Sequence, residues 1–155
     1  MKKRKNIITV AIDSPAAAGA GTQAKLISEY YNLFHLDTGK IYRYIGKLKL
    51  ENNKNFTYNL VSKEVGNLKI NQLNNKALLS NEVAVSASKI AKNKKIRNIV
   101  HKYQQKCAYD PPKKYKGSVL DGRDIITVQL KDAMFKFYIS ASLKVRAKRR
   151  YEEYK

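Results

Sequence analysis

Residues 7–24 read IITVAIDSPAAAGAGTQA, and this stretch decides the fold. It opens with Ile7–Ile12, an apolar, β-branched run closed by Asp13, the pattern of a buried strand. A loop of small residues follows, Ser14–Gly19. Gly21-Thr22 then opens a helix through Ala24, Leu26 and Ile27. Strand, small-residue loop and helix make the frame of a phosphate-binding loop, in which backbone N–H groups and a helix N-terminus face an anion. The consensus is G-x-x-x-x-G-K-[ST]. Here Ser14 stands for the first Gly, and Ala20 stands for the Lys whose ammonium reaches the β- and γ-phosphates. Ser is compatible with that position where φ is negative; an alanine methyl cannot replace an ammonium. On the motif alone, a plain Ala-rich loop of an α/β protein is a rival reading.

Downstream, the first helix is expected over Ala20–Tyr31 and ends at Asn32. Leu33–Leu36 reads as a short strand and Asp37-Thr38-Gly39 as a polar turn. A second helix carries Ile41, Tyr42, Ile45, Leu48 and Leu50, with Arg43 near its start. Residues 52–81 are rich in Asn and Lys with short apolar pieces and an Asn74-Asn75 turn signal. They read as a small inserted subdomain containing a hairpin. Val83–Ala91 and Ile96–Cys107 read as helices, and Val119-Leu120 ends a strand at Asp121-Gly122-Arg123-Asp124. Phe135–Ile139 reads as another buried strand, and Leu143–Tyr154 as a basic helix with Arg146, Arg149 and Arg150 close together. His101 reads as a surface or half-buried residue rather than a catalytic one.

This order suits an α/β fold with a parallel sheet flanked by helices. Three strand ends carry polar clusters: Asp13–Thr22, Asp37–Arg43 and Asp121–Asp124. Such ends meet at one edge of an open α/β sheet, where ligands bind. Acidic residues and arginines beside a phosphate loop suggest a phosphorylated acceptor held by Arg.

The length of 155 residues allows one domain with a modest core. No apolar run is long enough to span a bilayer, and MKKRKN reads as a basic tail on the first strand. The lone Cys107 excludes an internal disulfide and fits a reducing cytoplasm. The formal net charge is +20, which attracts polyanions. Lys, Asn, Ile and Tyr are abundant and share AT-rich codons, so compositional drift explains the charge as well as a polyanion partner does. A nucleic-acid-binding protein is suggested by charge alone; no aromatic stacking set or zinc spacing supports it.

AGAGTQAKL, LDTGKIYR and VLDGRDIITV, in this order and spacing, resemble the bacterial cytidylate kinases. Adenylate kinases share the first piece but lack the other two. FKFYISASLKVRAKRRYEE resembles that family's strand and the helix leading into its lid. The resemblance implies a P-loop NTPase-type sheet with an inserted nucleoside-monophosphate-binding subdomain, a monomer, and transfer of the ATP γ-phosphoryl to CMP or dCMP. It implies that Ser14, Pro15, Ala16, Ala17, Ala18, Gly19, Ala20, Gly21 and Thr22 surround the ATP phosphates. Mg²⁺ is expected to be carried by those phosphates with no protein ligand. Asp37, Thr38, Arg43, Ser88, Gln105, Arg123 and Asp124 are implied to face the acceptor. Arg123, Arg149 and Arg150 are implied to be catalytic.

The departures from the family pattern are specific. Ala20 and Ser14 alter the loop. Gln104-Gln105 stands where the family has Gln-Arg, and Ile126 where it has Gly. The family also continues into the rest of the lid, a strand and a helix, so a C-terminally truncated chain is expected, with doubtful activity. A non-catalytic remnant that binds nucleotide weakly is the alternative.

Overall fold

The computed structural model describes residues 7–152. The basic tail and Tyr154 lie outside the described residues. The chain divides into two compact units, residues up to Asp37 together with Gln105 onward, and Thr38–Gln104.

The first unit is built on β1 (Ile8–Asp13), β2 (Leu33–Asp37), β3 (Gly117–Gly122) and β4 (Phe135–Tyr138). They form one sheet in the order β2-β3-β1-β4 with every pairing parallel. Parallel strands pair only through crossovers, so their C-terminal ends share an edge. The register aligns Asp37 with Asp121, and Asp13 with both Gly122 and Tyr138.

Helix α1 (Ala20–Tyr31) packs by its i, i+4, i+7 face. Ala20 and Ala24 join Val10, Ile12, Leu33 and Val119 in one apolar cluster, with Ile8, Ile27 and Ile139 against it. Asn32 ends the helix in the left-handed region at φ 53°, a conformation Asn tolerates better than most side chains. On β3, the buried Ser118 hydroxyl donates to the Ala108 carbonyl at 2.8 Å. This ties the strand to the last turn of α5 (Lys94–Tyr109).

One expectation for this unit changes. The strand Phe135–Tyr138 is exposed along its length rather than buried, because it forms the sheet edge beside β1. The segment after DGRD is a single π-helical turn, Ile125–Gln129, in which Gln129 and Leu130 donate N–H bonds five residues back. The basic helix is α6 (Leu143–Glu152).

In the second unit, α2 (Thr38–Asn52) lies against α4 (Asn81–Ile90), with α3 (Tyr58–Gly66) between them in sequence. Its core holds Ile41, Ile45, Val61, Val65, Leu78 and Val83. The expected hairpin is absent. Residues 70–79 form two 3-10 turns, because the Asn75 side chain accepts from the Ala77 N–H and starts a new turn, burying Leu73 and Leu78. Thr57 and Ser80 cap α3 and α4 through the N–H groups of Leu60 and Val83, each cap contributing about 1 kcal/mol.

Exposed pairs such as Lys25–Glu29 and Lys148–Glu152 stabilise little, so they do not offset a net charge of +20. Raising salt from about 0.05 to about 0.5 M should therefore raise the melting temperature by screening self-repulsion. A melting curve insensitive to salt would contradict this.

Candidate nucleotide-phosphate site

Ser14–Gly19 leaves β1 and turns sharply into α1. Two residues make the turn: Ala17 at φ 59° and Gly19 at φ 99°. Gly19 is also the residue before the helix, with no side-chain cap. The first N–H groups of α1 therefore lack a capping side chain, and the first turn carries no acidic residue. Uncapped N–H groups at a helix N-terminus form an anion site, since the helix dipole adds partial positive charge there. Ser14 is held at the strand end by its N–H bond to the Gly122 carbonyl at 2.9 Å. Ala20 is only 5% exposed and faces the apolar cluster, so the position expected to carry lysine is a core position here.

Beside the loop, Asp13 is buried and accepts from the N–H groups of Ile125 and Ile126, the latter at 3.2 Å. Burial raises its carboxyl above the usual carboxylate range, despite the two backbone donors, and the nearby Asp124 charge adds to the rise. Asp13 thus pins the π-helical turn and fixes where Arg123 and Asp124 leave β3. On the neighbouring strand end, the His35 Nε2–H donates to Asp121 Oδ1 at 2.7 Å, since a carboxylate can only accept. The Gln129 amide donates to Asp124 at 3.4 Å, and Gln105 donates to the Gln129 carbonyl at 3.5 Å. Gln105 is thereby tied to the acidic turn. Arg123 is exposed, and Asp37 is half-buried.

Helix α6 returns over the loop. Arg146 Nε donates to the Ala16 carbonyl at 2.8 Å, and Arg149 Nη1 to the Ala17 carbonyl at 3.3 Å. Arg150 lies on the same helix, half-buried. In the second unit, Thr38 is buried at the start of α2. The Arg43 guanidinium donates to the Leu78 carbonyl at 2.8 Å. Ser88 is exposed on α4, whereas Ser86 is buried and bonded to the Gly46 carbonyl.

The first unit thus gathers Ser14–Thr22, Asp37, Asp121, Arg123, Asp124 and Arg149 at the C-terminal edge of one parallel sheet. The sequence model of the family described as cytidylate kinase matches residues 10–155. The chain belongs to the cytidylate kinase family. A cytidylate kinase of Bartonella tribocorum is 47% identical over 151 residues, covering 93% of this chain and 66% of the relative. A cytidylate kinase of Agrobacterium fabrum is 42% identical over 146 residues, covering 94% and 68%. One from Rhodopseudomonas palustris is 40% identical over 145 residues, covering 93% and 66%. The chain spans about two thirds of the length of these cytidylate kinases.

Within this family member the contacts of three residues near the loop were not legible in the sequence. Asp13 was legible as part of a strand-end polar cluster but not as the acceptor for the Ile125 and Ile126 N–H groups, and His35 only as part of a strand. Arg146 stood in a basic helix whose spacing, i and i+3 to Arg149, was the available signal. No helix among the described residues is long and apolar enough to cross a membrane.

Proposed function

We propose that this chain transfers the γ-phosphoryl group of ATP to CMP or dCMP, slowly for a kinase. The observation that carries the reading is the loop Ser14–Thr22. Its left-handed Ala17 and Gly19 and its uncapped helix start form a cradle for phosphate oxygens at the strand-end edge that bears Arg123 and Asp124. The donor set fits a polyphosphate, being backbone N–H groups with no carboxylate in the first helical turn. Mg²⁺, carried on the ATP phosphates, would supply neutralisation of developing charge. Gly21 offers it no hydroxyl, so the ion is proposed to be held through the ATP phosphates.

In the reaction, a phosphate oxygen of CMP attacks the γ-phosphorus and the bond to the bridging β–γ oxygen breaks, giving CDP and ADP. The attacking oxygen is already deprotonated, so no general base is needed. The protein's part is positioning and charge stabilisation. Arg123 is proposed to meet the acceptor phosphate and Asp124 its sugar, with Asp37 also proposed on the acceptor. Thr38, Arg43 and Ser88 are proposed acceptor residues of the second unit. Gln105, an amide where the family carries Arg, gives the acceptor a hydrogen bond and no charge. A location in the cytoplasm accords with this chemistry.

ADP release dependent on both ATP and CMP, measured in a coupled assay on the purified chain, tests the reading. ADP formed equally with and without CMP, or none in either case, would overturn it.

A further inference from the structure

A cavity of about 470 Å³ opens in the second unit where α2 and α4 end and α3 and α5 begin. Contacts step along α2 and the chain into α4 together. Arg43 meets Leu78, Gly46 lies against Val83 and Ala87, and Lys49 shares the cavity with Ile90. The cavity therefore sits at the end of this helix pair away from Thr38, about 9 Å along α2 from Arg43. Neither Arg43 nor Ser88 lines it. Its floor is apolar, with Ile90 and Ile96 buried, and Phe56 and Tyr58 form a wall. Asn93 fixes that wall. Its Oδ1 accepts from the Lys95 and Ile96 N–H groups at 3.0 and 3.2 Å, and its Nδ2 donates to the Tyr58 hydroxyl at 3.1 Å. Lys49 and Lys89, both exposed, complete the lining. Lys49 Nζ stands 5.9 Å from the Phe56 ring centre, and Lys95 Nζ 5.1 Å from that of Tyr58. No lining residue is acidic. Helix ends and helix starts meet here, so their dipoles oppose one another and the lysines set the sign of the charge.

We propose that this cavity binds a nucleoside polyphosphate at a site separate from the acceptor residues, with the base against Phe56 and Tyr58 and the phosphates on Lys49, Lys89 and Lys95. Its volume falls in the range of small-molecule pockets, roughly 300–1,000 Å³. An apolar floor with an aromatic wall takes a planar ring. Three ammonium groups exclude a cation and favour a ligand with more than one negative charge. Free phosphate leaves the rings and the floor unused, and an uncharged ring leaves the ammonium groups facing one another. A planar base joined to a polyphosphate uses both. Stacking of a base on an aromatic side chain tolerates any base, so the site is assigned to the class and not to one nucleotide. Nothing in this site depends on Ser14–Thr22 or on phosphoryl transfer.

The test is titration of the full chain with ATP, without Mg²⁺ and at about 0.15 M salt, followed by backbone amide NMR shifts. Shifts at Phe56, Lys89 and Asn93 should saturate along one curve, read separately from those at Ser14–Thr22. Tyr58→Ala removes a stacking ring and should weaken the cavity curve about 10-fold. Lys49→Gln combined with Lys89→Gln removes two charged donors and should weaken it about 10-fold as well. Both variants should leave the curve at Ser14–Thr22 unchanged. Lys63→Gln removes an exposed charge on α3 outside the cavity and should change the cavity curve less than about 2-fold, because exposed charge is screened. Inorganic tripolyphosphate, which has the charge and no ring, should bind there at least about 10-fold more weakly than ATP. Excess CMP should leave the cavity curve in place. Equal losses for Lys63→Gln and the double lysine variant, or equal affinities for tripolyphosphate and ATP, would reveal a general attraction for polyanions and overturn the proposal. Displacement by CMP would make the cavity the acceptor site and overturn it too, as would a titration without shifts at the cavity. Cavity binding with no CMP-dependent ADP release would leave this site standing and remove the kinase reading. ADP release dependent on CMP, with no cavity binding, would do the reverse.

Discussion

Phosphorylation of CMP by the unmodified chain should run roughly 10²–10³-fold below the 1–100 s⁻¹ of ordinary kinases, the loss expected for one preorganised charge-stabilising donor. The loop's backbone N–H groups and the helix start are in place, so the donor should still bind. What the loop lacks is a charge that strengthens its hold as the γ-phosphoryl separates from ADP. Backbone donors that hold the donor equally in the ground state do not replace that differential contact, and only contacts stronger in the transition state raise the rate. Ala20→Lys is not a clean repair. The alanine is 5% exposed and lies in the apolar cluster. A lysine there must displace packed side chains or thread its stem along them to bring the ammonium to the loop. The variant should lose about 1–3 kcal/mol of stability, the usual cost of overpacking, and regain less than the full rate. Coupled ADP-release kinetics and urea unfolding of both proteins check this. Turnover in the ordinary range by the unmodified chain would overturn this expectation and show that another group supplies the transition-state charge.

The parts of the fold written in local chemistry were legible. Ile7–Ile12 is β-branched and apolar, and it is the strand at the heart of the sheet. Ala20–Tyr31 shows its helical face through Ala24 and Ile27, and Asn32 marks its end. The misses have tertiary causes. Phe135–Tyr138 has the composition of a buried strand, yet its exposure is set by its edge position, which no local pattern encodes. Asn74-Asn75 promised a hairpin, but Asn75 closes a local turn with Ala77, one of the competing uses of an Asn side chain. The loop was readable down to its two altered positions. The burial of Ala20 was not, since a consensus tells which residue is missing and not what its side chain would meet. The bonds of Asp13 escaped because they depend on a π-helical turn more than a hundred residues away in sequence.

Gly46→Ala should destabilise the second unit by about 3 kcal/mol, at the upper end of overpacking costs. Two effects oppose each other. Gly46 sits within α2, where replacing glycine by alanine ordinarily gains up to about 1 kcal/mol of helix propensity. Against this, a Cβ at position 46 would stand 2.8 Å from the Ala87 amide nitrogen and 3.0 Å from the Val83 carbonyl oxygen. Both are backbone atoms of α4 and cannot turn aside as a flexible side chain would. The helices must separate, which also breaks the 3.0 Å bond from the Ser86 hydroxyl to the Gly46 carbonyl. A buried hydroxyl left without its partner costs a further ~1–3 kcal/mol unless water enters. The steric and polar losses outweigh the propensity gain. Amide exchange in α2 and α4 should accelerate, and the urea midpoint should fall. Gly66→Ala is the matched control. It ends α3 with nothing within 4 Å of its Cβ position and without a positive φ. That variant should be neutral or up to about 1 kcal/mol more stable through reduced unfolded-chain entropy. Equal midpoints for the two variants would show that α2 and α4 can part without cost.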